Sequence, residues 1–282
     1  MSRVLVTGAR GLIGGSLVES LARDGFDVVA TGRQAGALKA DGTYRPADLA
    51  DAGQVRSLLD GGGIAAIVHC AARLRGEPPE FVRDNETATQ NLVEAAARAD
   101  VIRLIFCSTI SVYCGDGPFS EGSPIGGDDP YARTKAAAER ICLDAPAPRG
   151  ISLRLAGVHG HQRHDGFLHE YFARARTNRT IEVGEPDTRV TPTFVDDVAV
   201  AVAALLRVTT LPHERVFNLA TVESPTYREL AEMVCKAMDS QSAIEATESR
   251  KRNRVLDTGR IRSALGFVQL PLSSHLARFA AR

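Results

Sequence analysis

The sequence predicts an α/β protein built on a doubly wound parallel sheet, with a smaller, partly interleaved C-terminal domain. Three observations carry this expectation. Short apolar runs alternate with helical patterns through the first half of the chain. A glycine-rich turn, Thr7-Gly-Ala-Arg-Gly-Leu-Ile-Gly14, separates the first such run from the first helix. Further on, Asp-Pro-Tyr131-Ala-Arg-Thr-Lys135 places a phenol and an ammonium one helical turn apart.

Taken in order, Arg3–Val6 is a compact apolar strand and Ile13–Asp24 a helix that stops at Gly25. Asp27–Ala30 is a second strand, and Ala65–Cys70 follows the Gly61–Gly63 turn as another. Asn85–Ala99 is an alanine-rich helix leading to the strand Arg103–Ser108. Asp129 suits an N-cap and Pro130 a first helical position, so a helix starts just before Tyr131. After Gly157 the pattern changes: Val158–Asp165 is polar and histidine-rich, and Phe167–Thr177 is helical. Thr193–Ala204 leads into another helix, Val216–Leu219 is a return strand and Tyr227–Met238 is amphipathic. We therefore expect a dinucleotide-binding domain over 1–157, with 190–220 returning to it, and a mostly substrate-binding domain over 158–282 that covers the cofactor. Ligands of parallel sheets bind at the carboxyl ends of the strands. Gly8, His69, Thr109 and Tyr131 all fall at or after such ends.

Composition narrows the function classes. The chain has 282 residues, enough for an ample core, and its 34 Lys+Arg equal its 34 Asp+Glu. No overall field draws it to nucleic acid or membrane, and no apolar run approaches the roughly 20 residues of a membrane helix. Met-Ser-Arg runs straight into the first strand without a signal-peptide pattern. The five cysteines (Cys70, Cys107, Cys114, Cys142, Cys235) are odd in number and lack a Cys-x-x-Cys, which fits reduced thiols in a cytoplasmic protein. His159, His161, His164 and His169 lack a carboxylate partner at helical spacing, so no metal is expected. They are read as flanking the substrate cleft, with an extra acid-base role left open.

The glycine turn is the expected cofactor cradle. Gly8, Gly11 and Gly14 let the backbone approach a diphosphate, and Arg10, Leu12 and Ile13 belong to the same turn and to the helix N-terminus beyond it. The second strand ends Val29-Ala-Thr-Gly-Arg33 with no carboxylate at its tip, where NAD-preferring enzymes carry an acid. Arg33, helped by Arg10, is suited to a 2′-phosphate. NADP(H) is therefore the expected cofactor, with NAD as the alternative. Asp48 and Leu49 fall where an adenine edge is read, and Cys70, Ala71 and Ala72 run past the adenosine ribose. A tyrosine alone is a poor acid-base group, with a pKa near ~10. An ammonium on the same helical face favours its phenolate, so Lys135 is expected to lower Tyr131.

These residues resemble the extended short-chain dehydrogenase/reductases, the nucleotide-sugar epimerase, dehydratase and ketoreductase group with a Rossmann-type fold. The resemblance runs through Thr7–Gly14, Asp48-Leu49, His69-Cys-Ala-Ala72, Asn85 with Asn91, and Ser108-Thr-Ile-Ser-Val-Tyr113. It continues through Tyr131-x-x-x-Lys135, Leu153-Arg154 leading to Gly160, Phe194-Val-Asp-Asp-Val198, Phe217-Asn-Leu and Leu265-Gly-Phe267. It implies that Thr109 hydrogen-bonds the substrate carbonyl, that Tyr131 exchanges the proton, and that Lys135 binds the nicotinamide ribose. It also implies a homodimer that pairs the Asn85–Ala99 and Tyr131–Cys142 helices.

Departures from the family pattern sharpen the reaction. Ile110 and Ser111 follow Thr109 where sugar dehydratases carry Asp-Glu, so elimination of water is disfavoured. Gly157 stands where many sugar-nucleotide enzymes have an asparagine. Arg73, Ser111, Arg189 and Arg254 are the substrate-side candidates, with Arg75 and the basic run Arg250, Lys251 and Arg252 nearby. The leading expectation is an NADP(H)-dependent ketoreductase acting on a deoxy nucleotide sugar. The alternatives are an NAD-dependent nucleotide-sugar epimerase and a non-catalytic cofactor-binding regulator.

Overall fold

The computed structural model describes residues 3–34, 43–160, 162–163, 165–246, 253–266 and 268–281. His161, His164, Arg250, Lys251, Arg252 and Phe267 lie outside the described residues. By its internal contacts the chain divides into two compact units. The first comprises residues 1–114, 123–155 and 198–217; the second comprises 115–122, 156–197 and 218–282.

The first unit starts with β1 (Arg3–Thr7), α1 (Leu12–Arg23), β2 (Asp27–Thr31), β3 (Thr43–Tyr44), α2 (Ala52–Leu59) and β4 (Ile64–His69). Next come α3 (Pro78–Phe81), a widened turn over Val82–Thr87 and α4 (Ala88–Arg98). β5 (Arg103–Thr109), a short 3₁₀ turn over Ile110–Val112, α5 (Pro130–Asp144) and β6 (Arg149–Leu155) follow. Beyond them lie β7 (Val158–His159), α6 (Phe167–Arg176), β8 (Ile181–Val183), β9 (Arg189–Val190), β10 (Thr193–Phe194), α7 (Val195–Arg207) and β11 (Val216–Leu219). The chain ends with α8 (Tyr227–Met238), β12 (Ile244–Ala246), β13 (Asn253–Arg254), α9 (Gly259–Leu265) and α10 (Leu272–Ala280). No helix among the described residues is long and apolar enough to cross a membrane.

Seven strands form one sheet in the order β11-β6-β5-β4-β1-β2-β3. β1 pairs in parallel with both β2 and β4, so the strand order reverses on either side of it. That switch point leaves a crevice at the carboxyl ends of β1 and β4, the place where open α/β sheets bind ligands. The strands are buried on both faces, which is why β1 and β5 read as continuous apolar runs rather than alternating ones. One face packs Leu5, Ile67, Leu104 and Phe106 against Val55 and Leu58 of α2, Leu92 and Ala96 of α4, and Ala138 and Cys142 of α5. The second unit has its own core, in which Leu168, Tyr171 and Phe172 of α6 meet Leu230 and Val234 of α8 and Leu272 and Leu276 of α10.

The elements fall within a residue or two of their expected ends, with one informative exception. The sequence predicts a single helix over Asn85–Ala99, but the regular α-helix begins only at Ala88. Before it, the Val82–Thr87 turn is widened to π geometry. The cause is tertiary. The buried Asn85 side chain accepts from the Arg73 amide at 2.7 Å and donates to Thr134 at 3.0 Å, while its carbonyl takes the Thr89 hydroxyl. One extra residue in the turn lets Asn85 face inward and Asp84 face a cavity.

Candidate active site

The first unit holds a cavity of about 290 Å³ at the switch point. Its lining includes Gly8, Arg10 and Gly11 after β1, Arg33 after β2, Asp48 and Leu49, Cys70, Ala71 and Ala72 after β4, and Asp84. The glycines are required by space. Gly8 has φ +64°, and a Cβ there would come within 2.7 Å of the Ala71 amide nitrogen. A Cβ on Gly14 would run into the Gly8 carbonyl oxygen. Gly11 caps α1 without any side-chain hydrogen bond, so the first-turn amides, Leu12, Ile13 and Gly14 among them, have no side-chain acceptor. A close-packed glycine turn feeding an uncapped helix N-terminus fits a dinucleotide diphosphate.

Behind the cavity a hydrogen-bonded relay fixes the two loops. The Thr7 hydroxyl accepts the Cys70 and Ala71 amides, each at 3.1 Å, and donates to His69 Nδ1 at 2.7 Å. His69 Nε2 then donates to Thr89 at 3.0 Å. With both amides pointing at Thr7, its one proton is left for His69, which assigns the tautomer. Burial, aided by the Lys135 charge, pushes His69 down to about 3, so the ring stays neutral.

At the Arg33 end of the cavity, charge does the building. Arg33 reaches Asp84 at 2.9 Å, and Arg73 reaches the same carboxylate at 2.7 Å and Glu80 at 3.1 Å. Arg83 bridges Asp84 and Asp48. Arg73, expected on the substrate side, lines this same cavity. Arg10 stacks over the Tyr44 ring, 5.3 Å from its centroid. Asp84 is the residue that sequence reading missed. Its carboxyl is held below the ordinary range by Arg73, Arg33 and Arg83 against the upward push of burial. Only its place beside Asn85 hinted at it.

The catalytic candidates lie along β5 and α5 in the same unit. Asp129 caps α5 by accepting the Ala132 amide at 2.8 Å, and Pro130 opens the helix. That cap aims Tyr131 and Lys135 toward β5. The Lys135 ammonium is 2% exposed, donates to the Cys107 carbonyl at 2.7 Å and sits 3.9 Å from the Phe106 ring centroid. Burial lowers it to about 8, against the pull of neighbouring thiols and Glu139. Thr109 ends β5, accepts the Ser111 amide at 3.2 Å and hydrogen-bonds the Tyr131 oxygen. Here the expected direction is corrected. Burial, the largest influence, pushes the Tyr131 phenol above its ordinary value, with Thr109 pulling the other way. Lys135 spends its ammonium on Cys107 and Phe106 instead.

Of the remaining candidates, Ser111 lies half-buried in the 3₁₀ turn after Thr109. Arg189 and Arg254 are in the second unit, on the paired strands β9 and β13. Their register matches Arg189 with Asn253 and Arg254 with Val190, so alternation puts the two arginines on opposite faces of that ladder. Arg189 donates to the Ser224 carbonyl at 2.7 Å. They do not form one phosphate clamp. His159 is buried and pushed down to about 3, again by burial, and its Nε2 has no hydrogen-bond partner among the described residues. His169 is exposed, and no metal-holding cluster of acidic, His and Cys residues occurs among the described residues.

The comparisons with known proteins agree with this geometry. Residues 4–220 match the model of the NAD dependent epimerase/dehydratase family. Over 247 residues the chain is 29% identical to a dTDP-4-keto-6-deoxy-D-glucose reductase of Streptomyces niveus, covering 84% of this chain and 78% of that one. A UDP-glucose 4-epimerase of Erwinia amylovora is 34% identical over 161 residues, and this match covers 50% of the chain and only 48% of that enzyme. The solved structure of MoeE5 with UDP-glucuronic acid and NAD is 30% identical and covers 98% of this chain and 97% of that one, with a TM-score of 0.84. With the family model matched over most of the chain, this chain belongs to the NAD dependent epimerase/dehydratase family, within the extended short-chain dehydrogenase/reductases.

Proposed function

We propose that the protein is an NADP(H)-dependent ketoreductase that reduces the keto group of a deoxy nucleotide sugar, most simply at the 4-position. The observation that carries this reading is the tip of β2, where Gly32 and Arg33 line the cavity and no carboxylate follows the strand. When bound, the nicotinamide cofactor supplies the hydride. The chain's own residues supply the rest. Gly8, Gly11 and the first turn of α1 hold the diphosphate, and Arg33 with Arg10 reads a 2′-phosphate. Tyr131 hands its proton to the substrate oxygen as that oxygen becomes an alcohol, and Thr109 steadies the same oxygen. A phenol pushed up by burial is protonated at neutral pH, which suits the reductive direction. Ile110 and Ser111 provide no acid-base pair for elimination.

The relative named as a dTDP-4-keto-6-deoxy-D-glucose reductase, matched over most of both chains, supports the substrate class. By the same proposal the second unit is mostly substrate-binding, and the five free thiols suit a cytoplasmic enzyme. We also propose a homodimer through α4 and α5, where Gln90, Val93, Ala97, Ala136 and Ala137 line a concave face; a monomer at all concentrations in analytical ultracentrifugation contradicts it. A second reading, an epimerase that retains NAD, draws on the Arg33–Asp84 ion pair, which neutralises the arginine a 2′-phosphate needs. The deciding experiment titrates purified protein with NADPH and NADH and assays nucleotide-linked 4-keto-6-deoxyhexoses. Tighter NADPH binding with turnover supports the reductase; stoichiometric NAD carried through purification overturns it.

A further inference from the structure

Cys70 and Cys107 form a thiol pair that the chemistry above does not use. Their sulfurs are 3.5 Å apart. The parallel register matches His69 with Phe106, so the next residues, Cys70 and Cys107, stand opposite one another. Neighbouring strands lie about 4.7–4.9 Å apart, inside the ~4.4–6.8 Å between Cα atoms that a disulfide spans. Cys70 is past the end of β4, so its backbone is free of the ladder on that side. It lines the 290 Å³ cavity, while Cys107 sits behind it at 5% exposure.

The surroundings polarise the pair. The Cys70 thiol serves Cys107 as a hydrogen-bond donor and, with the Lys135 charge, holds Cys107 below the ordinary thiol range. The same sharing, together with burial, pushes Cys70 up. Cys142, also deep in this unit but without such a partner, is pushed up to about 12. We assign the nucleophilic sulfur to Cys107, whose own carbonyl holds the Lys135 ammonium, and the proton to Cys70.

We propose that Cys70 and Cys107 are an oxidation site, converted by a peroxide into an intramolecular disulfide and shielded by a dinucleotide in the cavity. The Cys107 thiolate attacks one peroxide oxygen and the O–O bond breaks, giving a sulfenic acid and, with the shared proton, one water. The Cys70 sulfur, its proton already given to the first water, then displaces the sulfenic oxygen; the S–S bond forms, and the hydroxide leaves as a second water with a proton taken from solvent. Two sulfurs are oxidised by one electron each, and the two peroxide oxygens are reduced. Closure to ~2.05 Å pulls on two fixed points of the site. One is the Cys70–Ala71 turn held by Thr7, and the other is the Cys107 carbonyl that holds Lys135.

The test treats wild-type protein with hydrogen peroxide, alone and with NAD⁺ or NADP⁺ in turn, so the result does not depend on which is preferred. Intact mass should fall by about 2 Da, reversibly with dithiothreitol, and non-reducing peptide maps should join Cys70 to Cys107. A dinucleotide at ~100 times its Kd should slow the change about tenfold or more. Cys107→Ser should abolish the mass loss, and Cys70→Ser should leave Cys107 to trap dimedone as a lone sulfenic acid. Both thiols remaining alkylatable, a linkage mapping elsewhere, or a 2 Da loss persisting in Cys107→Ser overturns the site; an unchanged rate with both dinucleotides overturns the shielding.

Discussion

Two parts of the first unit are built differently: at Tyr131, Thr109 and Lys135 the side chains are placed by capped and paired backbone, whereas at Arg33, Arg73, Arg83 and Asp84 they are placed by one another. Asp129 and Pro130 fix the start of α5, and the β5 register fixes Thr109, so the Tyr131 end is set by local geometry. The Arg33 end collects ion pairs from four separate stretches of chain, with Arg33 and Arg83 each more than half exposed. Exposed ion pairs are individually weak, on the order of 1 kcal/mol or less. The first end is therefore suited to rigid chemistry and the second to adjustable recognition.

The largest expected effect breaks the catalytic end alone. Tyr131→Phe removes the proton donor while leaving the cavity's glycines and arginines in place. Turnover should fall on the order of 10³-fold, within the ~10²–10⁴ that general acid-base groups contribute. Dinucleotide affinity, read by fluorescence titration, should change little. Near-full turnover on an identified substrate would instead show that Tyr131 is not the proton donor.

Next comes the relay between the two ends. His69 ionises near 3 when folded and near 6.5 when unfolded. Between those values the unfolded chain binds more protons, so stability falls as pH falls through 6.5 and is lost progressively toward 3. From pH 6.5 to 5 this amounts to about 2 kcal/mol, at ~1.36 kcal/mol per unit. His159, in the second unit, is displaced the same way and adds to the same window. Urea unfolding at pH 7 and pH 5 measures it; equal midpoints would show that these rings are solvated rather than buried.

Lys135 gives a third effect with the opposite pH sense. Its folded value of about 8 means that the ammonium is lost as pH rises beyond that point. Activity that needs the charge should drop about tenfold for each further pH unit. A kcat/KM profile flat to pH 10 contradicts the burial described for this side chain.

These contrasts also explain what the sequence could show. The glycine turn, the Asp129-Pro130 cap and the strand ends are local signals, and the fold and the meeting of Tyr131 with Thr109 were legible from them. The π turn was not, because Asn85 bonds to Arg73 and Thr134, partners 12 and 49 residues away. The direction of the Tyr131 shift was not legible either. The i, i+4 spacing shows that an ammonium is near, but says nothing of how deeply the phenol is buried or that Lys135 bonds to Cys107. The pairing of Arg73 with Asp84 and Glu80 was not legible, because position in the chain does not reveal which carboxylate an arginine meets.

The smallest expected effect tests the adjustable end itself. Three guanidinium groups (Arg33, Arg73, Arg83) face three carboxylates (Asp84, Asp48, Glu80), so these six side chains balance in charge. A 2′-phosphate must compete with Asp84 for Arg33. Asp84→Asn keeps the shape of the side chain but removes its charge, and Arg33, 55% exposed, is then free to turn to the ligand. NADPH affinity should rise relative to NADH on the order of fivefold, about 1 kcal/mol after discounting for solvent screening. The gain should shrink as salt is raised. The wild-type preference tests the cofactor reading, while the change on substitution tests Asp84. An unaltered ratio would mean that Arg33 never leaves its carboxylate, and that the exposed end of the cavity is as rigid as the buried one.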